Sequence, residues 1–344
     1  MSSASAEPKS GPSRYEQMLM LARGYAPTAC LYVAARLKIA DLLSGGPQAV
    51  SELARRSNAN EDALYRVLRA LGSIDVFREE TSRTFANTPL SEVLRSDLAG
   101  SARDAVLFMA DPLHMRVYGE LMHPVQTGET AFRKITGTQP FEFFRQNAEE
   151  NQLFNNAMTS ISQQFVRPVM EVYDFGESGT LADIGGGHGI LLATILQKHR
   201  GLRGIVFDLP NVVRGAEPQI DSLGLRSRCE ILGGDFFEAV PPADSYIMKS
   251  IIHDWDDGRA MTILNNCAKA MRGPTGKIIL LEMLVGAGNE PGLAKWIDIE
   301  MLAIAGGRER SETDYRDLLA RAGLRLARIV RTPGPLAVLE AVRV

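Results

Sequence analysis

The spacing of apolar residues is helical from residue 15 to about residue 107 and predicts an N-terminal domain. Ser51 is expected to cap one helix, and Asn60 a second helix that carries its leucines on one face. Gly72 is expected to end that second helix, because glycine is unfavourable in a helix interior. Residues 76–85 alternate like a short hairpin. These elements predict a winged helix-turn-helix fold for this domain.

The pattern changes in the rest of the chain. Residues 108–174 continue as helices, and short apolar strands then alternate with helices. Strands are predicted at 180–184, 204–208, 229–232, 245–248 and 277–283. This alternation is typical of a parallel α/β sheet, whose ligands bind at the carboxyl ends of the strands. We therefore expect a second domain over residues 108–344, and a disordered polar tail over residues 1–14.

Composition narrows the possible partners and the compartment. The 344 residues carry a net charge of −3, which disfavours a nucleic-acid partner because such proteins usually have a basic excess. The cysteines have no metal-ligand or redox spacing. No apolar run reaches the roughly 18 residues that a membrane span needs, and the start has no signal-peptide core, so we expect a cytoplasmic protein without a membrane partner. Residues 26–37 are apolar enough to predict a helix buried against a partner subunit.

A glycine loop follows the first predicted strand in the segment LADIGGGHGI. A dinucleotide site would place its third glycine at Ile190, and a phosphate-binding loop would end in Gly-Lys-Ser or Gly-Lys-Thr. Here Asp183 is followed instead by glycines at every second position, Gly185, Gly187 and Gly189. That spacing favours a small cofactor without a pyrophosphate.

Acidic residues at successive strand ends extend this site. Asp208 ends the second predicted strand, where a carboxylate can accept hydrogen bonds from both ribose hydroxyls, and Asp235 follows the third. Together with Asp183 they outline an adenosine pocket.

The glycine segment resembles motif I of S-adenosylmethionine-dependent methyltransferases. From about residue 15 onward the chain is similar to the plant-type small-molecule O-methyltransferases and their bacterial relatives, most specifically in LADIGGGHG, FDLPNVV, GGDFF, MKSIIHDWDD, IILLEM and GGRERSETDY. The resemblance implies a Rossmann-like class I methyltransferase sheet with a winged-helix dimerisation domain. It also implies a homodimer that uses S-adenosyl-L-methionine, releases S-adenosyl-L-homocysteine and methylates a hydroxyl of a small aromatic substrate.

The resemblance assigns cofactor-binding residues by position: Asp183, Gly185, Gly187, Asp208, Leu209, Asp235, Phe236 and Lys249. Phe154 and Met158 match an FNxxM stretch whose side chains face the cofactor and the acceptor in that family. Without the resemblance, these two side chains would be assigned to the core. Residues 108–174 then become the helical section that lines the acceptor pocket, with further lining expected from residues 296–304.

His253 is the predicted general base. It follows the fourth predicted strand, and an unperturbed imidazole has a pKa of about 6.5, suited to taking a hydroxyl proton near neutral pH. Glu282 ends the neighbouring strand and Glu309 lies in the GGRER segment, so both carboxylates can flank the ring. In the resembled family the matching residues have these catalytic roles. Asp254 is interpreted as a helix start. A histidine base needs no cation, so no metal is predicted.

Two alternative functions remain open from the sequence. The winged-helix half is also typical of a transcriptional regulator, in which the cofactor site would act as a sensor. A cofactor-retaining relative could instead carry out decarboxylation or hydroxylation. The presence of His253, Glu282 and Glu309 together favours methyl transfer, since neither alternative requires them.

Overall fold

The computed structural model describes residues 11–176 and 179–344. The chain divides into two compact units between Met115 and Arg116. The boundary predicted at residues 107 and 108 falls inside a helix, Arg103–Met109. Of the predicted tail, residues 1–10 lie outside the described residues, and Arg14 already begins a helix that Ser13 caps.

The N-terminal unit contains short helices around a three-stranded sheet of order β1-β3-β2. Its elements are α1 (Arg14–Ala22), α2 (Tyr25–Arg36), α3 (Ile39–Leu42), β1 (Gln48–Ala49), α4 (Val50–Ser57), α5 (Glu61–Gly72), β2 (Phe77–Thr81), β3 (Thr84–Asn87), α6 (Pro89–Glu92) and α7 (Arg103–Met109). The predicted hairpin is confirmed as antiparallel β2 and β3. The helical and winged character of this half is therefore confirmed.

The helix ends of this unit test three predictions. Asn60 caps α5, because its side-chain oxygen accepts from the Ala63 N–H at 3.0 Å, and α5 ends at Gly72 as predicted. The prediction for Ser51 is wrong. Strand β1 runs directly into α4, so Ala49 occupies the cap position without a side-chain hydrogen bond.

The C-terminal unit begins within α8 (Pro112–Gly119). Its helices are α9 (Met122–Thr127), α10 (Ala131–Thr136), α11 (Pro140–Gln146), α12 (Ala148–Val172), α13 (Ile190–Lys198), α14 (Pro210–Val213), α15 (Glu217–Ser222), α16 (Asp257–Ala270), α17 (Leu293–Glu300) and α18 (Glu312–Arg321). Its strands are β4 (Gly179–Ile184), β5 (Leu202–Asp208), β6 (Cys229–Gly233), β7 (Ser245–Lys249), β8 (Ile278–Glu282), β9 (Leu324–Arg331) and β10 (Ala337–Arg343). Helix α17 continues into a π-helical segment, Met301–Ala305.

The seven strands form one sheet of order β6-β5-β4-β7-β8-β10-β9. The five predicted strands are confirmed and are parallel to one another. Strands β9 and β10 were not predicted, and β10 pairs antiparallel with both β8 and β9. Apolar cores cover both faces: α16 and α18 pack on one, and α12 and α13 on the other. None of the helices in the described ranges combines the length and apolar character that a membrane crossing requires.

Candidate active site

The glycine loop lies at the carboxyl end of β4. Gly185 and Gly187 adopt φ values of +69° and +56°, a left-handed conformation that favours glycine. The Gly185 N–H donates to the Phe207 carbonyl at 2.8 Å. A Cβ atom at residue 185 would lie 2.4 Å from the Ile251 side chain, so this glycine also allows close packing. The loop therefore leaves a backbone cradle beside the ends of β4, β5 and β7.

Asp208, at the end of β5, fixes this loop. Its carboxylate accepts hydrogen bonds from the N–H groups of Gly187 at 2.8 Å and of Leu209 at 2.7 Å. Burial raises the pKa of Asp208 to about 6, and the two N–H donors oppose that rise. A carboxylate offers about four acceptor positions, so Asp208 keeps capacity for the hydroxyls of a ribose.

Asp183 is buried next to the loop, and the charge of Lys249 acts on it. Burial raises the pKa of Asp183 to about 7, against the effect of the Lys249 charge. Burial likewise lowers the pKa of Lys249, and Asp183, Glu282 and Asp254 oppose that change. Among the described residues, one Asp183 oxygen has no hydrogen-bond partner. An unpaired buried acceptor is costly, and a polar ligand group would satisfy it.

Asp235 and Phe236 follow β6. Asp235 accepts from the Phe237 N–H at 2.8 Å, which turns the chain just beyond the strand. Phe236 packs edge-on against Phe237 and Trp255, with ring centroids 4.9 and 6.1 Å away. Phe236 also borders Gly185, since a Cβ there would lie 3.8 Å from its ring. The structure therefore places Phe236 beside the glycine loop, and the cofactor-lining role that the resemblance implies stays a prediction.

Phe154 and Met158 lie one turn apart on α12, and both are half-buried. The Phe154 ring stacks on Phe144 with centroids 4.7 Å apart and meets Phe141 edge-on at 6.2 Å. Phe141 in turn stacks on Trp255 at 5.3 Å. An aromatic wall thus runs from α12 to the turn that carries His253.

His253 lies in a short 3₁₀ turn, Ile252–Asp254, after β7. Its Nδ1 donates to the Glu309 carboxylate at 2.6 Å, and its Nε2 lies 3.6 Å from the Asp254 carboxylate. Glu282 does not bond the ring: one of its oxygens accepts from the N–H groups of Ile251 and Ile252 at 3.2 and 2.9 Å. Both predicted carboxylates therefore lie near His253, but they make different contacts. Glu309 bonds the imidazole ring, whereas Glu282 bonds the backbone of the turn.

Asp254 is a site residue that the sequence analysis missed. The helix start expected at Asp254 is wrong, because Asp256 caps α16 by accepting from the Arg259 N–H at 3.0 Å. Asp254 is instead directed at His253. Two acids separated by one residue next to a predicted helix give no sequence signal for which of them is the cap.

Electrostatics at this turn differ from the expectation of an unperturbed imidazole. Burial on its own disfavours the charged ring, but the carboxylates of Asp254, Glu282 and Glu309 outweigh it and raise the pKa of His253 to about 10. Burial also raises the pKa of Glu282 to about 7 and that of Asp254 to about 6, against the opposing charge of His253. The turn is therefore built to stabilise an imidazolium.

Among the described residues, His253, Glu282 and Glu309 also form a group that could hold a metal ion, with potential ligand atoms within 4.8 Å of one another. Nitrogen and oxygen ligands lie about 2.0–2.2 Å from a zinc ion. In the structure His253 Nδ1 and Glu309 are instead paired directly with each other at 2.6 Å. The predicted absence of a metal stays a prediction.

Comparisons with known proteins identify the family. The model of the O-methyltransferase domain matches residues 118–325, and that of the O-methyltransferase dimerisation domain matches residues 19–97. The chain is 39% identical to the phenazine O-methyltransferase PhzM of Lysobacter antibioticus, over 94% of this chain and 95% of that one.

Solved structures give the same result. The crystal structure of LaPhzM has a TM-score of 0.92 and 38% identity, covering 97% of this chain and all of that one. A second solved structure is that of NcsB1, an O-methyltransferase from neocarzinostatin biosynthesis, in complex with S-adenosylmethionine and 2-hydroxy-5-methyl naphthoic acid. It has a TM-score of 0.79 and 30% identity, and the match covers 93% of this chain and 96% of that one. The chain therefore belongs to the family of S-adenosylmethionine-dependent O-methyltransferases that carry an N-terminal dimerisation domain.

Proposed function

We propose that this enzyme methylates a hydroxyl group of a small aromatic metabolite, with His253 as the general base. The observation that carries the proposal is the 2.6 Å contact between His253 Nδ1 and Glu309, which directs Nε2 away from Glu309. Glu309 thereby fixes the ring orientation in which Nε2 can accept a proton. NcsB1, whose structure holds a naphthoic acid together with S-adenosylmethionine, supports an aromatic acceptor.

The cofactor residues have separate tasks in this proposal. Gly185, Gly187 and Leu209 shape the backbone around Asp208, whose free acceptor positions bind the ribose hydroxyls. The carboxylates of Asp183 and Asp235 and the Lys249 ammonium provide the remaining polar contacts, while Phe236 and Met158 line the apolar part. When bound, S-adenosyl-L-methionine supplies an electrophilic methyl group on a positively charged sulfur.

Proton removal follows from the charges around His253. Only a neutral imidazole can accept a proton, and a pKa of about 10 keeps the ring protonated at neutral pH. A positive charge at the cofactor site disfavours a second cation and so lowers the pKa of His253. Phenols have a pKa of about 10, so the carboxylates around His253, which raise the pKa of the imidazole, lower the free-energy cost of transferring the hydroxyl proton to it. Asp254 and Glu309 then stabilise the imidazolium.

The aromatic wall fits a flat acceptor. Phe154 stacks on Phe144 and meets Phe141 edge-on. Phe141 stacks on Trp255, which joins this wall to the catalytic turn. Flat aromatic rings pack well against such surfaces. We assign the acceptor to this side of His253, within residues 116–174 and 296–304.

We also propose a homodimer formed by the N-terminal domain, residues 15–107, with residues 108–344 as the catalytic domain. Among the described residues of α1, none is buried. Met18, Met20 and Leu21 are 64%, 68% and 74% exposed. Such a concentration of exposed apolar side chains on one helix favours burial against another subunit.

The substitution His253→Gln tests the proposed function. It removes the base but leaves the glycine loop and Asp208 in place, so calorimetry should find S-adenosylmethionine affinity within a few fold of the wild type. Methyl transfer from labelled cofactor to phenolic acceptors, quantified by mass spectrometry, should show a kcat lower by roughly 10² to 10⁴. Near-full turnover of the variant at pH 7 with an unactivated phenol would refute the general-base role.

A further inference from the structure

The loop of residues 306–310 lies against the turn that carries His253. The Arg308 N–H donates to the His253 carbonyl at 2.8 Å. A Cβ atom at Gly307 would lie 2.0 Å from the same carbonyl oxygen. The two backbones are therefore in direct contact at this position, and Glu309 reaches the imidazole from the same loop.

Arg310, which follows Glu309 in this loop, hydrogen-bonds the backbone on both sides of His253. Its Nη1 donates to the Ile252 carbonyl at 3.0 Å, and its Nη2 donates to the Trp255 carbonyl at 2.9 Å. Nη2 also contacts the Asp257 carboxylate at 2.8 Å. Only 1% of the Arg310 side chain is exposed. A buried guanidinium is costly unless it is well paired, so these contacts strongly restrain the turn.

The turn itself depends on such restraints. It is entered through Ser250, a residue other than glycine with φ of +52°, which is an unfavourable conformation for an L-amino acid. Glu282 holds the N–H groups of Ile251 and Ile252, whereas Arg310 holds carbonyls of the same turn. The guanidinium of arginine has five donors spread over a planar fork, so it can bond two separated carbonyls and a carboxylate at once. A lysine ammonium has three donors on a single nitrogen and reaches separated acceptors less well.

We propose that Arg310 is a positioning residue for His253. It keeps the 252–255 turn in the conformation that places Nδ1 on Glu309, so that Nε2 is aligned for proton transfer. The effect on turnover rests on the proposed function, whereas the effect on the geometry of the ring does not.

Arg310→Lys tests this role, with Arg228→Lys as a matched control. Arg228 also clamps carbonyls, those of Leu196 and Leu202 at 2.9 Å each, but at the amino end of β5. We expect Arg310→Lys to lower kcat on the order of 10- to 100-fold, as a small misplacement of a catalytic group can, with S-adenosylmethionine affinity within about 2-fold. Arg228→Lys should lower the melting temperature without such a loss of kcat.

A spectroscopic readout separates positioning from general stability. We expect the Nδ1 proton of His253 to give a far-downfield proton resonance, assigned by its loss in His253→Gln. In folded Arg310→Lys it should shift or broaden, while Arg228→Lys retains it. If Arg310→Lys does not fold, Asp257→Ala removes the carboxylate partner of Arg310 and should show the same changes in milder form.

An unchanged resonance and kcat in a folded Arg310→Lys, or in Asp257→Ala if the lysine variant fails to fold, would overturn the proposal. So would equal losses of kcat in Arg310→Lys and Arg228→Lys, because they would indicate a structural role only. Failure of the general-base role shows separately, as full turnover of His253→Gln, and leaves the resonance test of Arg310 intact.

Discussion

Glu309→Gln isolates the charge that Glu309 places on the catalytic imidazole. The amide keeps an oxygen that can accept from His253 Nδ1, so the 2.6 Å contact loses its charge but not its partner. Hydrogen bonds to charged groups contribute about 1.5–3 kcal/mol, and neutral ones about 0.5–1.5 kcal/mol. The difference, about 1–1.5 kcal/mol, corresponds to about one pKa unit at about 1.4 kcal/mol per unit.

The direction of this change follows from the charges. Carboxylates raise the pKa of His253 by stabilising the imidazolium, so removing one of them lowers that pKa. The neutral ring accepts protons and the cation does not, so the rate rises with pH through the pKa of His253. In Glu309→Gln the rising limb of the pH–rate profile should therefore lie about one pH unit lower than in the wild type, with a lower plateau because the imidazolium is less stabilised.

Initial rates at saturating cofactor and acceptor provide the assay. They are measured from about pH 6 to about pH 11, so that the range extends past a pKa of about 10. Glu340→Gln is the matched control. Glu340 is also buried and hydrogen-bonded, but to Tyr173, Arg328 and Lys277 rather than to His253. The rising limb of the pH–rate profile of Glu340→Gln should therefore lie at the same pH as in the wild type. A limb that does not move in Glu309→Gln, or that moves to higher pH, would show that Glu309 does not set the pKa of the base.

Two further predictions concern the cofactor and the assembly. Asp208→Ala removes charge-assisted hydrogen bonds worth roughly 1.5–3 kcal/mol, so calorimetry should show S-adenosylmethionine binding weaker by about one to two decades; unchanged affinity would reject the ribose assignment. Met18→Lys combined with Leu21→Lys places charges on side chains that are already exposed, so the variant should fold but sediment as a monomer. A dimer that persists at the same concentration would place the interface elsewhere.

The cofactor side of the site was readable from the sequence because local pattern determines it. Asp183 lies near the end of one apolar strand, Gly185 directly follows that strand, and Asp208 ends the next. These positions put polar groups at the carboxyl edge of a parallel sheet, and the structure shows those strands. Phe236 was reached through the family resemblance, since an aromatic residue after a strand is otherwise typical of a core.

The proton-accepting side was only partly readable, because its contacts join distant segments. The sequence placed Glu282 and Glu309 near His253 but could not show that one bonds the ring and the other the backbone. Nor could it show that Asp254 faces the ring, or that three carboxylates together raise its pKa. Strands β9 and β10 escaped prediction because arginines interrupt the apolar pattern of β9 and Glu340 interrupts that of β10.

The antiparallel pairing of β10 with β8 has a consequence for how the protein is made. Glu282, the last residue of β8, lies opposite Ala337 in that pair. Strand β8 therefore has β7 as a neighbour early, but its other neighbour, β10, is available only after residues 283–336 have been synthesised. Until then β8, whose five residues are all buried in the finished fold, has an open apolar edge. Such edges invite pairing with other chains. On the ribosome, completion of the active site and protection from aggregation therefore depend on the same late event, the arrival of β10.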